Sequence, residues 1–318
     1  MGVRFGIVLP TRDFIMRGEP DGYRRVIEVA ERAEALGYES VWMGDSLVAK
    51  PRLEVFSTLG YVAARTSRVG LGTAIYIPTL REPVQLAHSM ACLDLLSGGR
   101  VTFGMGIGAK SPSGLHEYRT VGVDPERRAS RLEETLRLLR LLWTQDDVTF
   151  EGQHFRLEHV TLLPRPAQPN GPRLLLTAGN DGKVSPRQAR RVVELGDGMF
   201  PSRVKPDEYR RAWAVVVAEA ERQGRDLATL EPALFWTVHL DDAAERAARE
   251  ADEWLVGYYG LPRYWGDSWG PWGSAAVLRE RIEQFIDAGV RLFVVRFAAW
   301  DTLGQLERFT QDVWPHFR

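Results

Sequence analysis

An amphipathic helix, a glycine stop and a short apolar strand recur along this chain, and that alternation constrains its fold more than any other feature. Residues 21–36 carry Val26, Val29, Ala30, Ala33 and Leu36 at helical spacing, stop at Gly37 and give way to a strand at 40–44. Leu96-Ser97-Gly98-Gly99 closes another helix before Val101, Leu195-Gly196 precedes a strand at 198–200, and Ala288-Gly289 precedes one at 290–297. Glycine just past a helix accepts the left-handed conformation that a β-carbon resists. The strands are near-continuously apolar rather than alternating, which predicts a sheet covered on both faces and therefore parallel. Eight strands are expected, beginning near Val3, Ser40, Val69, Val101, Arg173, Gly198, Leu234 and Leu292. Helices follow near Asp21, Glu54, Val84, Glu126, Ser185, Pro206, Ala243 and Thr302, with an extra one over 275–288 inside the last crossover. Eight βα units point to a closed (β/α)8 barrel, with an open doubly wound sheet as the alternative.

One barrel commonly reaches the length of this chain, 318 residues, so 1–318 is read as one domain with two excursions. Residues 148–162 alternate polar and apolar side chains around Gly152 and predict a hairpin. Residues 257–273, rich in Gly, Pro, Tyr and Trp, predict a long structured loop of the kind that serves as a lid or binding loop. The 41 Lys and Arg residues balance 42 Asp and Glu, so no global field favours nucleic acid or an anionic membrane. The single cysteine, Cys92, lies in an apolar helical pattern and fits a reducing compartment. The opening MGVRFGIVLP starts on a strand without the apolar length and cleavage site of a signal peptide, so a cytoplasmic protein is expected.

Barrel enzymes place their chemistry where strands end. Those ends here include 10–13, 44–46, 74–78, 104–110, 177–183, 200–203, 239–242 and 296–300. The turn Thr177–Lys183, with Gly179, Asn180 and Gly182, follows a buried strand and precedes a helix, which suits a phosphate cradle built from backbone amides as well as an ordinary turn. Gly104-Met105-Gly106-Ile107-Gly108 has the wrong spacing for a dinucleotide fingerprint but clears space for a planar ring. Of six histidines, His116, in a polar stretch after strand four, and His239, at the end of strand seven, are placed to reach a ligand; His88, His154, His159 and His316 read as structural or solvated. No HExxH, paired CxxC or GxSxG pattern occurs, so neither a zinc motif nor a nucleophile elbow is expected. Tyr259, Trp265 and Trp269 are candidate lid residues over a planar or apolar ligand, with a dimer contact as the competing reading.

LGYESVWMGDS, VGLGTAIYIPTLREPVQLAHSMACLDLLSGGRVTFGMGIG, HEYRTVGVDPERRASRLEETLRLLRLLW and GDGMFPS resemble the bacterial luciferase-like monooxygenase family over residues 3–297. The resemblance implies a (β/α)8 barrel with insertions that binds FMN or the deazaflavin coenzyme F420. It places the ring against Ala74 and Ile75, joined by a non-prolyl cis peptide, and against Gly106 and Gly108, with Asp45 nearby. It places the phosphate at Gly179, Asn180 and Gly182. Many members carry a histidine after the strand-two aspartate, where this chain has Asp45-Ser46. A serine hydroxyl donates a hydrogen bond but is a poor proton shuttle near neutral pH. Ser46, His116 and His239 are therefore the catalytic candidates, with no metal expected. The leading expectation is hydride transfer between the ring and a small organic substrate. The alternatives are a monooxygenase using reduced FMN and oxygen with a reductase partner, and a flavin-binding barrel without turnover. A homodimer through outer helices is a further expectation.

Overall fold

All eight expected strands are present in the computed structural model, which describes residues 2–260 and 269–318. The first half of the chain runs β1 (Arg4–Val8), α1 (Asp13–Arg17), α2 (Arg24–Leu36), β2 (Ser40–Met43), α3 (Val55–Arg65), β3 (Gly70–Tyr76), α4 (Pro83–Ser97) and β4 (Val101–Met105). It continues with α5 (Pro112–Thr120), α6 (Arg128–Thr144), β5 (Val148–Glu151) and β6 (Arg156–Val160). The second half runs β7 (Arg173–Leu176), α7 (Pro186–Leu195), β8 (Gly198–Met199), α8 (Pro206–Gln223), β9 (Glu231–Leu240) and α9 (Ala244–Tyr259). It ends with β10 (Trp272–Gly273), α10 (Ala275–Asp287), β11 (Leu292–Phe297) and α11 (Thr302–Asp312). The main sheet has the strand order β10-β9-β11-β1-β2-β3-β4-β7-β8, with β8 pairing again to β9. Apart from the two-residue β10, that cyclic order is a (β/α)8 barrel.

Two compact units make up the chain, one of residues 1–43 and 175–318, the other of residues 44–174. In the first, β1 pairs in parallel with β2 and β11, β11 with β9, and β9 with β8. All six residues of β11 are buried, as a strand covered on both faces requires. Phe5, Phe293, Phe309 and Trp314 pack edge-to-face and stacked at 5.5–6.3 Å between ring centroids, joining β1 and β11 to α11. In the second, β3 and β4 are parallel, with a register shift between Thr73 and Tyr76. The hairpin over 148–162 forms as expected, β5 antiparallel to β6.

The glycine stops have two physical origins. Gly37 and Gly98 sit at φ 91° and 72°, in the left-handed region, and each closes its helix with its own amide. Gly196 does not: its backbone is extended, and a β-carbon there would lie 2.9 Å from Leu176 Cγ and 3.0 Å from the Val192 carbonyl. That glycine admits β7 against α7 rather than a left-handed turn.

Two sequence expectations are corrected. The stretch around His116, read as a polar loop, is helix α5, started by Ser111, whose hydroxyl accepts from the Gly114 amide at 3.2 Å. Residues 257–259, read as the start of a loop, continue α9, and the aromatics there are periodic after all: Trp254 and Tyr258, one turn apart, stack at 4.3 Å. The short α1 after β1 had no periodic signal long enough to predict it. Among the described residues no helix is long and apolar enough to cross a membrane.

Candidate active site

In the unit of residues 44–174, the carboxyl end of β3 is held by one carboxylate. The peptide bond between Ala74 and Ile75 is cis. Just beyond it, the Ile77 amide donates to Asp45 Oδ2 at 3.0 Å, while the Asp45 amide donates to the Ile75 carbonyl at 3.2 Å. The carboxyl of Asp45 is also gripped by Arg81, whose Nη1 and Nη2 lie 2.5 and 2.7 Å from its two oxygens. Burial pushes the Asp45 carboxyl above its usual range, and the Arg81 hydrogen bonds oppose that shift. The Arg81 guanidinium in turn lies 4.6 Å from the centroid of Tyr76. Asp45 therefore grips the backbone at the carboxyl end of β3.

Ser46 is engaged in the same way. Its hydroxyl donates to Glu117 Oε1 at 2.7 Å and accepts from the Lys50 amide at 2.9 Å. The same Glu117 oxygen accepts from the amides of Leu47, Val48 (2.9 Å) and Ala49 (3.3 Å). Burial alone would raise the Glu117 carboxyl, but the Ser46 hydroxyl and these amides hold it below its usual range. His116, one residue earlier on α5, is exposed. The group that sequence reasoning missed was its neighbour, because a helix turns successive side chains about 100° apart. Gly108, with φ +67°, has room for a β-carbon only at 3.3 Å from Ile77 Cδ1, so any side chain there would crowd the same strand end.

In the unit of residues 1–43 and 175–318, the turn after β7 has left-handed Gly179, Asp181 and Gly182. A β-carbon on Gly182 would lie 2.6 Å from Glu208 Cβ, and one on Gly179 would lie 2.9 Å from Ala212 Cβ, so both positions exclude side chains on conformation and on space. Asn180 Oδ1 accepts from the Ser202 amide at 2.9 Å, tying this turn to the loop after β8. The α7 start is already satisfied by a reciprocal pair between Ser185 and Gln188. A phosphate cradle would thus use the turn's own amides.

Arg296, on β11, is buried within an aromatic box. The centroids of Phe235, Trp254, Tyr258, Tyr259 and Trp269 lie 4.9–5.6 Å from its guanidinium. Its hydrogen bonds go to neutral hydroxyls: Nη2 and Nε to Thr237 Oγ1 at 2.8 and 3.2 Å, and Nη1 to Tyr259 at 2.5 Å. Arg12, after β1, lies 4.4 Å from the Tyr258 centroid. Beside it, Asp13 is buried, and desolvation raises its carboxyl to about 6 against the pull of Arg296 and Arg12. Tyr259 and Trp269 thus wall a cation, while Trp265 falls outside the described residues. His239 is buried, with Nδ1 2.9 Å from the Ala298 carbonyl. Arg12, Asp13 and Arg296 all lie on strand ends that the sequence marked, but nothing in their residue types singled them out.

Comparison with known proteins bears on these geometries together. Residues 3–285 match the family model described as luciferase-like monooxygenase. An F420-dependent glucose-6-phosphate dehydrogenase from Amycolatopsis mediterranei (strain U-32) is 31% identical, over 94% of this chain and 96% of that protein. Among solved structures, an F420-dependent secondary alcohol dehydrogenase in complex with an F420-acetone adduct superposes with a TM-score of 0.81 at 21% identity, covering 100% of both chains. The monooxygenase RslO1 from Streptomyces bottropensis also gives 0.81 at 21% identity, over 99% of this chain and 100% of that one.

Proposed function

We propose that this chain, which belongs to the luciferase-like monooxygenase family, is an F420-dependent oxidoreductase that moves a hydride between the deazaflavin and a small organic substrate. The observation that carries the choice of F420 over FMN is the 31% identity to an F420-dependent dehydrogenase along nearly the whole of both chains. The residues fit such a group in one respect above all: Gly179 and Gly182 give the turn after β7 a left-handed backbone packed against Ala212 and Glu208, where no side chain is admitted, and Asn180 ties that turn to the loop after β8. Ala74, Ile75, Gly106 and Gly108 would border the ring, and the amides of Gly179, Asn180 and Gly182 would hold the phosphate. Asp45 supports the ring's bed through Ile77 and Arg81.

A bound deazaflavin supplies the hydride acceptor or donor. The protein supplies the proton site. Ser46, His116 and His239 were the candidates from sequence, but the Ser46 hydroxyl is committed to Glu117 and Lys50, and His116 is exposed. Asp13 suits the task better, since a carboxyl raised to about 6 is mostly ionised at pH 7 and still basic enough to take a hydroxyl proton. Arg12 and Arg296 keep the field around it positive, which favours the ionised form and a substrate oxygen gaining negative charge.

Equilibrium titration tests the reading. Oxidised F420 is expected to bind at micromolar concentration with a change in its fluorescence. Binding of reduced FMN instead, with oxygen consumption, would replace it with the monooxygenase reading and its reductase partner, and binding of neither would sink both. A paired assembly is supported by exposed Tyr61 on α3 and Leu95 and Leu96 on α4, and a cytoplasmic location by the lone Cys92.

A further inference from the structure

At the end of β9, a buried imidazole lies beside two carboxyl groups. His239 has a side chain 3% exposed, with Nδ1 2.9 Å from the Ala298 carbonyl oxygen. A carbonyl only accepts, so Nδ1 carries the hydrogen, and in the neutral ring Nε2 holds a lone pair. That Nε2 is buried and has no hydrogen-bond partner among the described residues. It lies 3.3 Å from Glu250 Oε2, close enough for an ion pair but outside hydrogen-bond geometry. Two electron-rich atoms therefore lie side by side with no proton shared between them in hydrogen-bond geometry, and a cation bound to both would relieve their repulsion. The carboxylate of Asp241, two residues along the chain, brings a third ligand atom, all three lying within 4.8 Å of one another.

We propose that His239 Nε2, Glu250 and Asp241 form a binding site for a divalent transition cation, of which zinc is the best-fitting case. The donor set, one imidazole and two carboxylates, is one that zinc accepts. The separation also fits: ligand atoms about 2.0–2.1 Å from a tetrahedral ion sit about 3.3 Å apart, as Nε2 and Oε2 do. The Nδ1–carbonyl bond is the outer-sphere contact that orients a metal-binding histidine. Asp241 is oriented likewise, by the Ala243 amide at 2.8 Å and by Arg246 at 2.6 and 2.8 Å, and its Oδ2 keeps a lone pair after the Arg246 bond. Arg246 pairs directly with Asp241, while Arg308, which also acts on Asp241, is itself paired with Asp242, so the Glu250 carboxylate is left for a ligand cation. Glu250 is 43% exposed, which leaves an entry route from solvent.

The ligands come from a strand, the turn after it and a helix, which is why no local zinc motif betrays them. An ion here would clamp β9 to α9, the helix that carries Trp254, Tyr258 and Tyr259 to the Arg296 box.

Cobalt(II) and zinc(II) are the probes, added to the full chain after chelation and dialysis. One equivalent of cobalt is expected, with visible absorption bands of a four- or five-coordinate ion, displaced by zinc. Zinc should raise the thermal midpoint of the parent protein. His239→Gln and Glu250→Gln should each weaken binding at least tenfold and abolish the zinc-dependent rise. Glu250→Gln alters a half-exposed helix position, so it keeps the test valid if His239→Gln does not fold. Absence of binding, or stoichiometric binding that either folded variant leaves unchanged, overturns the proposal. So would a nitrogen-15 titration showing that His239 is a stable imidazolium at pH 8, because a proton then fills the gap.

Discussion

The polar groups at the strand ends of residues 44–174 and those of the other unit are satisfied to different degrees. In the first, two carboxylates are saturated: Asp45 has Arg81 and the Ile77 amide, and Glu117 has Ser46 and three backbone amides. In the second, among the described residues, Arg296 hydrogen-bonds neutral hydroxyls inside a ring of aromatics, Asp13 is raised to about 6 despite nearby guanidiniums, and His239 Nε2 is buried without a hydrogen-bond partner beside a carboxylate. Saturated networks fix geometry, whereas unsaturated ones shift protonation and leave room for a ligand to complete them. On the proposed reading, the first set shapes a bed and the second carries the chemistry.

The largest expected effect attacks the saturated side. Arg81→Met leaves the Asp45 carboxylate buried without its bidentate partner, and breaking a buried pair from one side costs about 3–5 kcal/mol. Denaturant melts should show a loss of that size, while Arg81→Met combined with Asp45→Asn should recover much of it. If Arg81→Met alone costs under about 1 kcal/mol, the Asp45 network is not what fixes the end of β3.

Asp13 probes the other side, with the opposite sign. Its folded value lies above the ordinary value of 3.8, so the folded protein binds that proton more tightly than the unfolded chain does. Stability is fully present below about pH 4 and is lost as pH rises toward about 6, where it levels off. A two-unit shift is worth about 2–3 kcal/mol, so Asp13→Asn should stabilise the protein by up to that amount at pH 8 and hardly at all at pH 4. Turnover in the direction that takes a proton from substrate should rise through about pH 6 in the parent and fall about 100-fold or more in Asp13→Asn. A variant that keeps both the rate and the limb near pH 6 would clear Asp13 of the proton-accepting role.

The same contrast explains what was legible in the sequence. Strand positions and the ends of the long helices were, because they follow from apolar periodicity and from punctuation by glycine, as at Gly37 and Gly98. The hairpin over 148–162 was legible from alternation alone. Glu117 was hidden because it belongs to α5, whose sequence PSGLHEYRT has no apolar stripe, and attention fell on its exposed neighbour His116. Arg296 reads as a charge in an apolar strand, and only the fold brings together the five rings that enclose it, three from α9, one from β9 and Trp269. Asp13 looks like any aspartate in a loop, since what raises it is burial created by distant segments. Ligand sets assembled from strand, turn and helix, as at His239, Asp241 and Glu250, leave no spacing to find.

The smallest expected effect concerns Ser46, where the sequence suggested chemistry and the structure offers positioning. Its hydroxyl gives one bond to Glu117 and takes one from the Lys50 amide, holding the loop after β2. Ser46→Ala removes both and should cost about 1 kcal/mol in stability, less than the paired charges because Leu47, Val48 and Ala49 still bind Glu117. If Ser46 only positions this loop, the substitution raises KM a few-fold, leaves the pH profile of kcat in place, and is rescued by Ser46→Thr, which restores the hydroxyl. If Ser46 carried the proton itself, Ser46→Ala would lower kcat by orders of magnitude and erase a pH-dependent limb. Glu117→Gln separates the two further: it weakens every bond to this loop at once but touches no reacting atom, so it should lower stability more than Ser46→Ala while leaving that limb unmoved.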